Sequence, residues 1–334
     1  MKLRILLGAA LISLAISASV FAQDEKRQGN LSADEQKMAQ AVVAAPDAAG
    51  KLSAGSNLIK KYPKTAIRPR IASTLAHEIS KTPDTNQRVS LAQSFQTTFT
   101  QPSEQEMILP ILVQALANAK QPDEAFSTGA AFLSKNPDSL AVLVQVVAIG
   151  SDQAKAKNAK FVADSLQYAA HAAQLIETEK RPAGLDDPSW AKYKTVVLPN
   201  LYQTMGLLNL VKGDQVQAKA NYIKASELAP ADPFNWVILA GLVNDEYQTE
   251  ATHYQSMPNG QAKQDELKKV QSMMDAAIAA YAHAIALSEG DAALQAAREQ
   301  YLHDLETYYK YRHHSTEGMQ ALIDKYKAPT PTKP

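Results

Sequence analysis

A chain of 334 residues with 34 basic and 34 acidic side chains has no net formal charge, and no run of like charge marks it for nucleic acid or an anionic membrane surface. It contains no cysteine, which excludes disulfides, a thiol nucleophile, thiolate metal sites and a lipid-modified N-terminal cysteine. Gly is sparse at 13 residues and long helical patterns dominate, so the chain is predicted to be all-α and held together by packing alone.

Lys2 and Arg4 precede the apolar run Ile5 to Ile16, and the stretch Ser17-Ala18-Ser19-Val20-Phe21-Ala22 ends it with small residues. This order predicts a secretory signal peptide over 1–22, cleaved after Ala22, and an exported chain in the periplasm or outside the cell. Ile5 to Ala22 is also just long enough to serve as an anchor. Ser13, Ser17 and Ser19 weaken that alternative, and no membrane span is expected once the signal is removed. The polar stretch 23–30 reads as a disordered tail, and so does the proline-rich 328–334.

Between the tails the chain reads as helical hairpins. Over 31–182, Ser32 or Asp34 caps a helix to about Ala45, Pro46-Asp47 opens another, and Tyr62-Pro63 stops it. Thr65 to Ser80 and Asp84 to Thr100 form a second pair. Leu109, Leu112, Val113 and Leu116 face Ala125, Gly129 and Phe132 in the next, which ends at Pro137. Leu140 to Ile149 and Gln153 to Glu179 are expected as a further pair with an overlong second helix. Arg181 to Pro188 is the most loop-like stretch and divides the chain, giving a second region over 183–327. Ser189 to Leu198 reads as a short helix, with Pro199 opening the next one.

That next stretch carries the clearest pattern. Tyr202, Met205, Gly206 and Asn209 share one helical face, Gly213-Asp214 breaks the helix, Ala218, Tyr222 and Ala225 mark the facing helix, and Pro230 ends it. The order large, small, turn, small, large, small, Pro resembles the tetratricopeptide repeat (TPR), whose 34-residue unit reads W-x2-L-G-x2-Y…A-x3-F…P. Ala218 and Pro230 match outright, Tyr202 and Tyr222 replace one aromatic by another, and Asn209 departs in character. The resemblance implies a TPR-like α-solenoid of stacked hairpins. It also implies a partner groove on the first helix of each repeat, at Asn200, Gln203, Leu207, Leu210 and Val211, then Phe234, Val237, Gly241, Asn244 and Asp245. TPR domains that clamp C-terminal carboxylates carry Lys, Arg and Asn at several of these places. Here the positions are chiefly apolar or amide, so that activity is not implied.

One repeat is stretched. Trp236, Leu239, Ala240 and Val243 arrive on time, but a 34-residue step from Ala218 falls at 252, and the next matching alanine is Ala277, about 25 residues later. Trp236, Val243, Tyr247 and Tyr254 continue one helical stripe, and Leu267, Val270, Met274, Ala277 and Tyr281 another. With the turn signature Met257-Pro258-Asn259-Gly260 between them, they predict one hairpin over about 236–288 whose helices both overrun the repeat. Tyr247 and Tyr254 are expected to pack on Leu267 and Val270, with Asp245, Glu246 and Glu250 in water. A long helix over Asp291 to Arg312 and a last one over Thr316 to Lys327 follow.

Catalytic constellations are not found. His77-Glu78 lacks the second histidine of H-E-x-x-H, and no G-x-S-x-G, P-loop or G-x-G-x-x-G is present. Ser189-Trp190-Ala191-Lys192 fits S-x-x-K without its companion motifs. Glu250 and His253 make a single Glu-x-x-His, where a di-iron bundle needs two such pairs and two further glutamates. Lys155, Lys157 and Lys160 read as a solvated face. Tyr308, Tyr309, Tyr311, Arg312, His313 and His314 read as the amphipathic end of a helix. The expectation is therefore a non-enzymatic scaffold for a protein or peptide partner in the cell envelope, without catalytic residue, cofactor or metal. The alternatives are a hydrolase or metal-binding protein using His253, His283, His303, His313 or His314, and a self-associating structural component.

Overall fold

The computed structural model describes residues 31–182 and 184–327. The signal peptide expected over 1–22 and the tails at 23–30 and 328–334 lie outside the described residues. Among those described there are fourteen α-helices and no strand, and no helix is long and apolar enough to cross a membrane. They divide into two compact units, residues 31–191 and 192–327.

The first unit holds α1 (Ala33–Ala44), α2 (Ala48–Lys61), α3 (Arg68–Lys81), α4 (Thr85–Thr98), α5 (Pro102–Asn118), α6 (Pro122–Leu133), α7 (Leu140–Lys155) and α8 (Val162–Glu177). Their starts are set by short polar side chains that accept backbone donors left over at a helix N-terminus. Ser32 Oγ takes the Glu35 N–H at 3.2 Å, Asp47 Oδ1 that of Gly50 at 2.7 Å, and Asp84 Oδ1 that of Gln87 at 2.7 Å. Each helix packs on its neighbour and, at α2–α4, α3–α5 and α5–α7, on the next but one. That is how stacked hairpins bury a continuous core.

Two devices fix this stack. Glycines let helices approach: a Cβ on Gly55 would fall 2.7 Å from Leu75 Cδ1, and one on Gly129 2.4 Å from Val146 Cγ1. A buried ion pair ties α3 to α5. Arg68 Nε and Nη2 donate to the two oxygens of Glu104 at 2.6 and 2.9 Å, and Glu104 Oε2 also accepts the Gln101 N–H. The remaining guanidinium donors reach the carbonyls of Pro63 and Thr98, so neither charge is left uncompensated.

The expected break between Ile149 and Gln153 is corrected. α7 runs on to Lys155, and the turn falls at 156–161 with Lys157 at φ +66°. Gly150, inside the continuous helix, is a close contact: its Cβ would lie 1.8 Å from Ser165 Oγ of α8. The short helix expected over 189–198 is corrected too, because α9 (Asp187–Lys212) is continuous with Pro199 inside it. Proline removes one backbone donor there, but its fixed φ is itself helical. Pro110 sits within α5 in the same way.

The second unit continues with α10 (Gln215–Leu228), α11 (Pro233–Ser256), α12 (Gln261–Leu287), α13 (Gln295–His313) and α14 (Met319–Lys325). α9 turns into α10 at Gly213, whose φ of +84° is a conformation that only glycine adopts without strain. Gly206 then lies flat against Tyr222: a Cβ there would sit 2.7 Å from Cδ2 and Cε2 of the ring. Met205, Ala218, Tyr222 and Ala225 are all buried. This is the TPR-like hairpin the spacing predicts, and the whole is an all-α array of helical hairpins.

The overrun is helical as well. α11 and α12 have 24 and 27 residues, about 36 and 40 Å at 1.5 Å per residue, with Pro258-Asn259-Gly260 at the tip between them. Tyr247, Val270 and Met274 are buried in its seam, with Tyr254 packed beside them. Leu267, expected in the seam, is instead 36% exposed. One turn before Val270 the inward position is taken by the half-buried Glu266, which leaves Leu267 on the solvent side. Glu246 and Glu250, expected in water, are ion-paired to Lys219 and Lys269.

Candidate functional site

The groove positions implied by the repeat all lie in the second unit, on α9 and α11. Val211 is 40% exposed, and Asn200 and Leu207 are half-buried. Leu207 and Val211 stand one turn apart on α9, so they form a short apolar strip. Gln203 is engaged within the fold: its Nε2 donates to Asp232 Oδ2 at 3.1 Å and to Asn235 Oδ1 at 2.9 Å. Asp232 in turn caps α11 by accepting the Phe234 N–H. The amide thus pins α9 to the first turn of α11.

On α11 the corresponding positions are met by α13. Tyr301 donates its hydroxyl to the Val237 carbonyl at 2.8 Å, and that hydroxyl lies 3.2 Å from where a Gly241 Cβ would stand. Tyr308 donates to Asn244 Oδ1 at 2.7 Å and accepts from Gln248. Burial pushes the Tyr301 phenol up to about 12, because the phenolate would lose its hydration. Phe234 and Leu210 pack against the Ala218–Tyr222–Leu239–Leu242 core. Of the implied groove positions on α11 only Asp245 is exposed, the others being engaged by α13 or by that core, so the open apolar part of the groove is the α9 strip.

Of the repeat-defining residues, Met205, Gly206, Ala218, Tyr222 and Ala225 are buried, Tyr202 is half-buried and Pro230 exposed. Asn209, the departure from the repeat pattern, is buried as well.

The other residues weighed for chemistry are dispersed. His283 is stacked between Trp236 and Tyr326, with centroids 3.5 and 4.4 Å away, and burial pushes its imidazolium pKa down. Arg312 grips Asp275 through two hydrogen bonds, Tyr309 lies against His313, and His314 ends α13 in a left-handed conformation. His303, His313 and His314 are exposed. Lys155 and Lys160 pair with Asp152 and Asp123. Glu78, beside His77, pairs with Lys51. The Ser189 N–H donates to Asp186, and Trp190 is buried with its Nε1 on Glu179.

Glu250 and His253 behave differently. Glu266, a residue that the sequence reading does not associate with them, comes across from α12 to join them. The Lys269 ammonium, hydrogen-bonded to it, pulls the Glu250 carboxyl down to about 2. The pairing depends on the register of two helices across a turn, which no spacing along one helix reveals.

No family model matches the chain, and no curated protein matches it. Among solved structures it is similar to a tetratricopeptide repeat protein from Parabacteroides merdae ATCC 43184, at 10% identity over 80% of this chain and 98% of that one, with a TM-score of 0.39.

Proposed function

We propose that the protein is a non-enzymatic scaffold of the cell envelope that binds a protein or peptide along the exposed face of α9. The observation that carries this reading is the Leu207–Val211 strip, two apolar side chains one turn apart on α9 that are left partly open beside the buried Met205, Leu208 and Tyr222. An apolar strip flanked by the amide of Asn200 suits the side chains of a peptide better than a charged terminus, since no cation stands among these positions. Export rests on the signal-like order of residues 1–22.

Crosslinking the mature protein in its native envelope and identifying what it captures tests this reading. A paired Leu207→Asp, Val211→Asp variant should keep its helical circular dichroism and lose the captured partner. Undiminished capture by that variant would remove α9 as the binding face. A product consisting only of a second copy of the chain would favour the self-associating alternative.

A further inference from the structure

The overrun hairpin brings three metal-ligating side chains to one point. Glu250 and His253 lie one turn apart on α11, and Glu266 reaches them from α12; one donor atom from each lies within 4.8 Å of the other two. Among the described residues no other group of three His, Asp or Glu donors gathers so closely. Glu250 Oε1 and His253 Nδ1 are 3.2 Å apart, close to the ~3.3 Å edge of a tetrahedron whose metal–ligand bonds are 2.0–2.1 Å. An imidazole with two carboxylates is a nitrogen–oxygen set that suits zinc, whereas calcium and magnesium favour oxygen alone.

A second observation concerns Glu266. Its Oε1 is fully buried and accepts no hydrogen bond, a condition that a carboxylate tolerates only beside a cation. One is already at hand. Lys269 Nζ stands 2.9 Å from Glu250 Oε1 and 3.3 Å from Glu266 Oε1, between the two carboxylates. The lysine side chain is 54% exposed, so its flexible stem can carry the ammonium back into water and leave the position to another cation.

We propose that Glu250, His253 and Glu266 bind one zinc ion in place of the Lys269 ammonium, and that the ion clamps the overrun of α11 to that of α12. Three protein ligands leave a fourth position for water. The site lies just below the tip, where the seam contains fewer buried apolar residues than it does farther down.

Isothermal titration of the tag-free mature chain with zinc tests this. One ion per chain is expected. His253→Ala and Glu266→Gln should each weaken binding by about tenfold or more, and Lys269→Met, which removes the competing cation, should tighten it. A paired His313→Ala, His314→Ala variant should bind as the wild type does. His253 is exposed, so its variant should retain the wild-type circular dichroism and reports on binding even if Glu266→Gln disturbs the fold. The proposal is overturned by an absence of saturable uptake at millimolar zinc. It is equally overturned by uptake that survives His253→Ala, or by uptake that disappears with His313 and His314.

Discussion

Where α9 meets α10, a glycine faces the flat of a tyrosine ring; where α11 and α12 run on past the repeat, tyrosines meet valine and methionine with charges along the rim. The first contact has no slack, since even a Cβ on Gly206 would come within 2.7 Å of Tyr222. The second is looser and more polar. Tyr254 is only partly buried and lies 5.2 Å under the Lys263 ammonium, and Glu250, Glu266, His253 and Lys269 close the outer side. A helix crossing inside an array must be dense, because it is squeezed by neighbours. An overrun has solvent beside it and can be held by side chains that reach across.

The largest effect expected from this difference is at the aromatic anchors. Tyr222 is fully buried, so Tyr222→Ala should lower stability by about 3–5 kcal/mol. Tyr254→Ala, at the open end, should lower it by about 1 kcal/mol. Urea melts of the two variants measure both losses, and equal losses would mean that the overrun is packed as densely as the repeat.

The dense hairpin is also the part that was legible in the sequence, and for the same reason. Gly206, Ala218, Tyr222 and Ala225 leave a fixed small–large order because only that order lets two helices touch. The stripes of the overrun could be followed through Tyr247, Val270 and Met274 because burial keeps helical spacing. The turn at 156–161 left no such mark, since its left-handed residue is Lys157 and neither Gly nor Pro occurs there. Gly150 serves close approach to Ser165 and not a bend, and in the sequence alone the two uses of a glycine look identical. The hydrogen bond from Tyr308 to Asn244 and the arrival of Glu266 beside His253 depend on how separate helices align. A single helix's periodicity carries no information about that.

At the crossing itself, Gly206→Leu should cost about 1–3 kcal/mol through overpacking against Tyr222. Pairing it with Tyr222→Ala sharpens the point. If the ring is what the leucine strikes, the double variant should be more stable than the sum of the single losses predicts, by about 1 kcal/mol or more. Simple additivity in urea melts would place the strain elsewhere.

Tyr301 tests the inward-turned face of α11. Tyr301→Phe removes the hydrogen bond to the Val237 carbonyl and should lower stability by about 0.5–1.5 kcal/mol at neutral pH. The pH dependence has a definite sign. The phenol is raised to about 12 in the folded chain against about 10 when unfolded. Between those values the unfolded chain releases a proton that the folded chain keeps, so stability falls as pH rises. The contribution is fully present below pH 10. The wild type should therefore lose more stability than Tyr301→Phe between about pH 10 and 12, and parallel stability curves would show that Tyr301 is not shielded from water.

The smallest effect belongs to the tip. Gly260 has φ 161°, extended backbone that any residue can adopt, and no atom lies within 4 Å of where its Cβ would be. It precedes α12 without a side-chain cap. Gly260→Leu should therefore change stability by no more than about 0.5 kcal/mol, although the same substitution at Gly206 is expected to cost several times more. Gly260→Ser should go the other way, by a few tenths of a kcal/mol, because its hydroxyl can accept one of the unpaired N–H groups in the first turn of α12. The pair of variants separates space from capping. A loss on Gly260→Leu comparable to that of Gly206→Leu would mean that the tip is packed against something, and would end the contrast between a crowded crossing and an open end. A gain on Gly260→Ser with no loss on Gly260→Leu would place the tip in solvent, with only its unpaired backbone donors left to improve.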